Sequence, residues 1–163
     1  MEVEKAALAL DAALPRGIRV LAADAVDTHH AALMSQAAGA SYRVTLPYSK
    51  DVSAAVAEFN AAPELLFKKA APKTKAKFKE IDVKFYIPQL TAEQTEKETI
   101  FSFDCKITPT GSMKAVDLLN ALNEQYGLAL PVEMADIERL RLYRNNKNGK
   151  PIPMLNSDAV TLG

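Results

Sequence analysis

Between residues 41 and 145 the hydrophobic period of this chain switches between two and about 3.6 residues, in the order strand, helix, strand, strand, helix, strand. No other feature narrows the fold as much, because a period-two segment buries one sheet face and a helical period buries one stripe. Residues 41–46 (SYRVTL) set Tyr42, Val44 and Leu46 against Arg43 and Thr45. Residues 51–60 carry Val52, Val56 and Phe59 on one helical stripe, with Ser49 or Asp51 near its start. Residues 64–69 (ELLFKK) read as the second strand and residues 99–107 (TIFSFDCKI) as the third. A helix over 112–126 follows, with Ser112 at its cap, Val116, Leu119 and Leu122 on its stripe and Gly127 as its stop. Residues 137–143 (IERLRLY) close the set. This is the βαββαβ order of a ferredoxin-like sandwich, an α+β fold whose antiparallel sheet holds both helices on one face and leaves the other bare.

An extra helix and strand precede that core. Residues 2–14 place Val3, Ala6, Ala7, Leu10 and Leu14 at helical spacing before Pro15 and Gly17 stop the helix, and residues 18–23 (IRVLAA) read as a short strand. Residues 28–38 (THHAALMSQAA) are expected as a helix, capped by Asp27 or Thr28 and closed by Gly39. The lysine-rich stretch 72–96 is an excursion around IDVKFYI, with room for a strand or a helical turn of its own. Within it KEIDV is expected to act as a latch, with Ile81 and Val83 inward and Asp82 pairing a lysine or capping a turn. The organisation expected is a helix–strand–helix segment over 1–40, a core over 41–145 and a mobile tail over 146–163, rich in Asn, Pro and Gly.

Lys plus Arg and Asp plus Glu balance at 20 each, so no global field draws the protein to nucleic acid or membrane, and electrostatic function must come from local clustering. No stretch reaches the roughly 18 apolar residues of a membrane span. The first residues are acidic and lack the basic start of a signal peptide. The one cysteine, Cys105, excludes an internal disulfide and a cysteine-based metal cluster, and a reducing, cytoplasmic setting is expected. Trp is absent and aromatics are 7% of the chain, which argues against a carbohydrate platform.

Alternation assigns the bare face residue by residue. In the third strand Phe101, Phe103, Cys105 and Ile107 share one side, and Ser102, Asp104 and Lys106 the other. In the fourth, Leu140 and Leu142 oppose Arg139, Arg141 and Tyr143. With the spatial order fourth, first, third, second, the bare face gathers Arg43, Lys106, Arg139, Arg141, Tyr143 and Asp104: four cations against one carboxylate. Such a patch fits an anionic ligand: RNA backbone, a phosphate or an acidic partner surface. Arg and Lys are also common on a sheet face that is merely hydrated, or that another segment covers. Phe101 and Phe103 resemble the stacking aromatics of an RNA-recognition module, but they share the core side with Cys105.

Six lysines, Lys68, Lys69, Lys73, Lys75, Lys77 and Lys79, fall within twelve positions. They suit phosphate contact, with Lys73, Lys75 and Lys77 as candidates, and equally suit a protected strand edge. His29 and His30, side by side and about 100° apart on a helix, cannot chelate one metal together. Cys105 reads as an inert core thiol, and Glu93, Glu96 and Glu98 as a loop cluster rather than an acid–base pair. No catalytic residue and no metal ligand set is identified in this chain.

The runs LALDAALPRGIRVLAA (8–23), SYRVTL (41–46), KEIDVKFYI (79–87) and IERLRLYR (137–144) occur in that order. Together they resemble the bacterial radical-SAM-linked domain of unknown function, over about residues 8–144. Lys79, Glu80, Ile81, Asp82, Val83 and Lys84 match the family's third segment, while Phe85 and Tyr86 stand where it often has a proline-containing step. The family's N-terminal portion, with its Ser-His-Leu-Asp stretch, has no counterpart here, so the chain is expected to be a fragment or a truncated relative. The resemblance implies a cytoplasmic accessory domain serving a radical SAM protein, fused or separate, and presenting an RNA or protein substrate. The iron–sulfur cluster and S-adenosylmethionine would belong to that partner. A missing half-domain would expose the Leu8 helix and the Ile18 strand and invite a homodimer. A protein-interaction or dimerisation domain with no nucleic-acid role is the alternative expectation.

Overall fold

The computed structural model describes residues 2–27, 29, 31–73, 75–156 and 158–162. In chain order the elements are α1 (Val3–Ala13), β1 (Ala22–Ala23), β2 (Ala37–Pro47), α2 (Ser53–Ala61), β3 (Leu66–Ala70), β4 (Phe78–Asp82), α3 (Val83–Tyr86), β5 (Thr91–Gln94), β6 (Glu98–Thr108), β7 (Gly111–Ser112), α4 (Ala115–Tyr126), β8 (Asp136–Asn145), β9 (Pro151–Pro153) and β10 (Val160–Thr161). Short 3-10 turns stand at Leu33–Gln36 and Val132–Met134. The chain divides into two units, Ala37–Tyr143 and Met1–Gln36 with Arg144–Gly163.

The larger unit is α+β. Its sheet runs β5, β6, β2, β8, and β2 and β6 pair antiparallel from Gly39 opposite Lys106 to Pro47 opposite Glu98. That register aligns the alternation of the two strands. Val44, Leu46, Phe101, Phe103 and Cys105 enter one buried cluster with Phe59 of α2 and Leu118, Leu119 and Leu122 of α4. Each such side chain stabilises the fold by about 1.5–3 kcal/mol when fully buried. Phe101 and Phe103 are core residues, as the alternation requires.

The second strand of the sheet is not the one expected. Residues 66–70 pair with 78–82 in a separate hairpin, and β5 takes the place beside β6. Chain connectivity explains the exchange. Thr95 closes β5 onto β6 in a tight turn: its N–H donates to the Glu98 carbonyl (2.9 Å) and its Oγ1 accepts from the amides of Lys97 and Glu98 at 3.2 and 3.1 Å. So short a closure costs little chain entropy.

The KEIDV segment forms the base of that hairpin, as a latch. Ile81 and Val83 are buried, and Asp82 accepts from the amides of Leu65 and Lys84, both at 3.0 Å. Lys84 then caps α2: its Nζ donates to the carbonyls of Phe59 (2.8 Å) and Pro88 (2.6 Å), with Asn60 at 3.5 Å. A cation at the carbonyl end of a helix also offsets the helix dipole.

Helix α4 starts later than expected. Ser112 is taken into the pairing of β7 with β6, and the Lys114 amide donates to the Asp117 carboxylate at 3.1 Å. The stripe shifts accordingly: Ala115, Leu118, Leu119, Ala121 and Leu122 are buried, whereas Val116 is 37% exposed. Gly127, at φ +58°, ends the helix in the left-handed region where a Cβ is costly.

In the smaller unit α1 forms nearly as expected, and the predicted strand over 18–23 is reduced to Ala22 and Ala23. The helix expected over 28–38 is a 3-10 turn at Leu33–Gln36, and residues 37 and 38 already belong to β2. Incorporation into the long strand β2 overrides the helical preference of these alanines. Thr28 and His30 lie outside the described residues. The segment expected as a tail instead supplies β9 and β10, and β10 pairs antiparallel with β1. Asn156 adds bonds to the Asp24 carboxylate from its amide (3.1 Å) and side chain (2.8 Å).

Candidate anion-binding face

The face of the sheet opposite the core is built from facing pairs: Arg43 with Ser102, Ser41 with Asp104, and Gly39 with Lys106. Arg141 of β8 reaches the same face, donating from Nε to Ser41 Oγ at 3.1 Å, and Ser41 Oγ in turn donates to the Asp104 carboxylate. The Arg141 guanidinium also stands 5.7 Å from the centre of the Tyr143 ring. Both contacts restrict a side chain that would otherwise sample many rotamers, and they leave its two Nη groups exposed. A depression of about 300 Å³ opens alongside, lined in part by Ser41, Thr91, Ser102 and Asp104.

The other expected residues divide. Arg43 faces Glu138 at 3.5 Å, a half-exposed pair of the kind worth little in water. Lys106 points its amine over the Phe85 ring at 5.3 Å. Arg139 is exposed and forms no ion pair among the described residues. The face therefore carries four cations against two carboxylates, Asp104 and Glu138, one more than alternation predicted.

Leu140, expected in the core, is 46% exposed: residues 136–141 of β8 are all exposed, so alternation there separates no buried side from an open one.

Tyr143 lies on the open face as expected, beside Arg141 and over Gly39, but it is buried there, at 9% exposure. It fits because residue 39 has no side chain: a Cβ there would overlap the Tyr143 hydroxyl and Cζ and stand 2.9 Å from the Cys105 carbonyl. Burial pushes the Tyr143 hydroxyl pKa up, with Asp104 and Cys105 adding to the effect and Arg141 opposing it. A glycine inside a strand marks such a close approach, which was the available signal for this notch. Ser41 and Glu138 had no comparable signal in the sequence.

The lysine run lies elsewhere. Lys68 faces Glu80 and Lys69 faces Lys79 across the hairpin, and Lys73, Lys75 and Lys77 lie in its connection rather than along a strand. Phe67 and Ile81 pack toward the core, and Lys69 pairs with Asp117 of α4 at 2.7 Å. The run thus stands on the helix side of the unit, not on the face that holds Arg141.

Cys105 is buried, with Sγ against the carbonyls of Met113 (3.5 Å) and Lys106 (3.6 Å), and burial pushes its thiol pKa up. His29 is exposed in the smaller unit. Among the described residues no group of three or more His, Cys, Asp or Glu is placed to hold a metal ion. No helix among them is long and apolar enough to cross a membrane.

A family model described as "Uncharacterized protein conserved in bacteria (DUF2344)" matches residues 1–119. No curated protein and no solved structure matches the chain. The matched span includes the hairpin and β2 and stops before β8.

Proposed function

The chain belongs to this uncharacterized bacterial family, and we propose that it is a non-catalytic binding or accessory module that holds RNA on its arginine-bearing sheet face. The observation that carries this reading is the restrained Arg141. Its guanidinium is fixed through Ser41 to Asp104 and lies against Tyr143, with Arg43 and the exposed Arg139 nearby on β2 and β8. A guanidinium held in place with two free Nη groups is suited to bidentate contact with a phosphate, and less entropy is lost when it binds. The partner context we propose is a radical SAM protein, fused or separate, which would contribute the iron–sulfur cluster and S-adenosylmethionine. A cytoplasmic setting accords with one buried, unoxidised thiol.

The test is titration of a mixed small-RNA pool at low and physiological salt, by fluorescence anisotropy, with Arg139→Glu/Arg141→Glu alongside. The expected result is binding with a steep salt slope that the double variant loses while its circular dichroism is unchanged. Absence of binding at low salt refutes it. A second reading, a protein-interaction or dimerisation domain, is favoured by one observation: Ile137 and Leu140 of β8 are both exposed. A concentration-dependent dimer with no RNA affinity would establish that reading instead.

A further inference from the structure

We propose that the tip of the β3–β4 hairpin is a separate contact for single-stranded RNA, with a base stacked on Phe78 and phosphates held by the lysines around it. The proposal rests on the reading of the chain as an RNA-binding module but places the contact on a different surface. Residues 66–79 contain six lysines and no acidic residue. Lys69 is committed to Asp117, whereas Lys68, Lys73, Lys75, Lys77 and Lys79 are exposed and form no ion pair among the described residues. In a chain of zero net charge this is a local excess, offset only in part by Glu80, which lies opposite Lys68.

Phe78 sits among those lysines at the open end of the hairpin, opposite Ala70, and is 59% exposed. Its small cross-strand neighbour leaves the ring uncovered. The base of the hairpin is fixed by Asp82, by the Val83 amide donating to the Leu65 carbonyl (2.8 Å) and by the Lys69–Asp117 pair. The Ala71 amide donates to the Lys77 carbonyl at 2.8 Å and closes the tip. The ring is therefore presented on a braced support.

An aromatic face within a field of lysines is how proteins hold unpaired nucleotides, since each base offers a π-face and each phosphate a charge. A duplex keeps its bases stacked inside and offers the ring no partner. A membrane surface is less well matched, because the hairpin's other large exposed apolar residue, Leu66, lies at its opposite end and no continuous apolar patch forms.

The chain contains no tryptophan, so Phe78→Trp introduces a single tryptophan, excited selectively at long wavelength, at the proposed stacking site. A short oligouridylate is expected to quench it, and heparin, duplex RNA and phosphatidylserine vesicles are not. Phe78→Ala should weaken oligouridylate binding roughly tenfold or more. Lys73→Glu/Lys75→Glu/Lys77→Glu should lower the slope of log K against log salt by about two, at about 0.7 per lost phosphate contact. All four positions are exposed, and circular dichroism checks that each variant folds. Quenching that persists in Arg139→Glu/Arg141→Glu supports the hairpin contact and removes the sheet face. RNA binding lost in the arginine variant but intact in the hairpin variants does the reverse. Quenching by vesicles alone, or no binding of any RNA at low salt, overturns the hairpin proposal; the latter overturns both.

Discussion

Replacing Gly39 with alanine puts a Cβ where the Tyr143 ring lies and 2.9 Å from the Cys105 carbonyl oxygen. The ring has to leave its notch, because the strand pairing on either side of residue 39 fixes the backbone. Tyr143 is 9% exposed, so displacing it forfeits most of an aromatic burial, about 2–3 kcal/mol. Alanine recovers about 0.5–1 kcal/mol over glycine in a strand, leaving a net loss of about 1–2.5 kcal/mol. With a urea m-value of about 1–3 kcal/mol per molar, the unfolding midpoint should drop by about 1 M. A double-mutant cycle isolates the cause. In a Tyr143→Ala background Gly39→Ala should cost less, keeping only the part due to the 2.9 Å approach to the Cys105 carbonyl, and the difference is the coupling between the two residues, about 1–2 kcal/mol. The single variant should also release Arg141 and weaken RNA binding if the sheet face binds RNA. A midpoint unchanged by Gly39→Ala, or a loss of the same size in both backgrounds, would refute the notch argument.

Lys84→Met removes the ammonium that stands 4.5 Å from the Phe59 ring centre and donates to three carbonyls, two of them at 2.6 and 2.8 Å. It should cost about 2–4 kcal/mol in urea unfolding, given the worth of charge-assisted bonds and of stranded acceptors, and a cost under about 0.5 kcal/mol would show the cap to be idle. Cys105 should make folding weaker in alkali. Because burial raises its folded-state pKa, its contribution is whole below the unfolded thiol's pKa and is lost as pH rises from there through the folded value. Urea midpoints at pH 7 and pH 10 should therefore fall less in Cys105→Ala than in the parent; equal falls would mean that the thiol ionises alike in both states.

Much of the local structure was legible in the residues. The alternation of residues 99–107 identified the buried and open faces of β6, and α1, α2 and the latch over 81–83 formed close to where spacing put them. Two β-compatible stretches, 66–70 and 91–94, competed for one edge of the sheet, and the outcome turned on the tight closure at Thr95. Asn60 and Asn123 are similar cases. Each bridges both backbone groups of a distant leucine, Leu90 and Leu130, at 2.7–3.0 Å, which no local period announces.

For the candidate site, the sequence placed Arg43, Asp104 and Lys106 on one face, because side-chain direction along a strand follows from backbone geometry alone. It could not tell which of those charges were committed. Such commitments depend on residues far apart in the chain: Arg43 and Lys69 form ion pairs with Glu138 and Asp117, and Arg141 donates a hydrogen bond to Ser41. Leu140 stays exposed because residues 136–141 of β8 are exposed throughout, and the bare Cα of Gly39 admitted Tyr143, which depends on which strand lies alongside. Composition and period therefore determined the kinds of elements and the faces they bury. Strand neighbours, the burial of Tyr143 and the absence of an ion pair, among the described residues, at five lysines of the hairpin were decided only when tertiary contacts chose among locally equivalent alternatives.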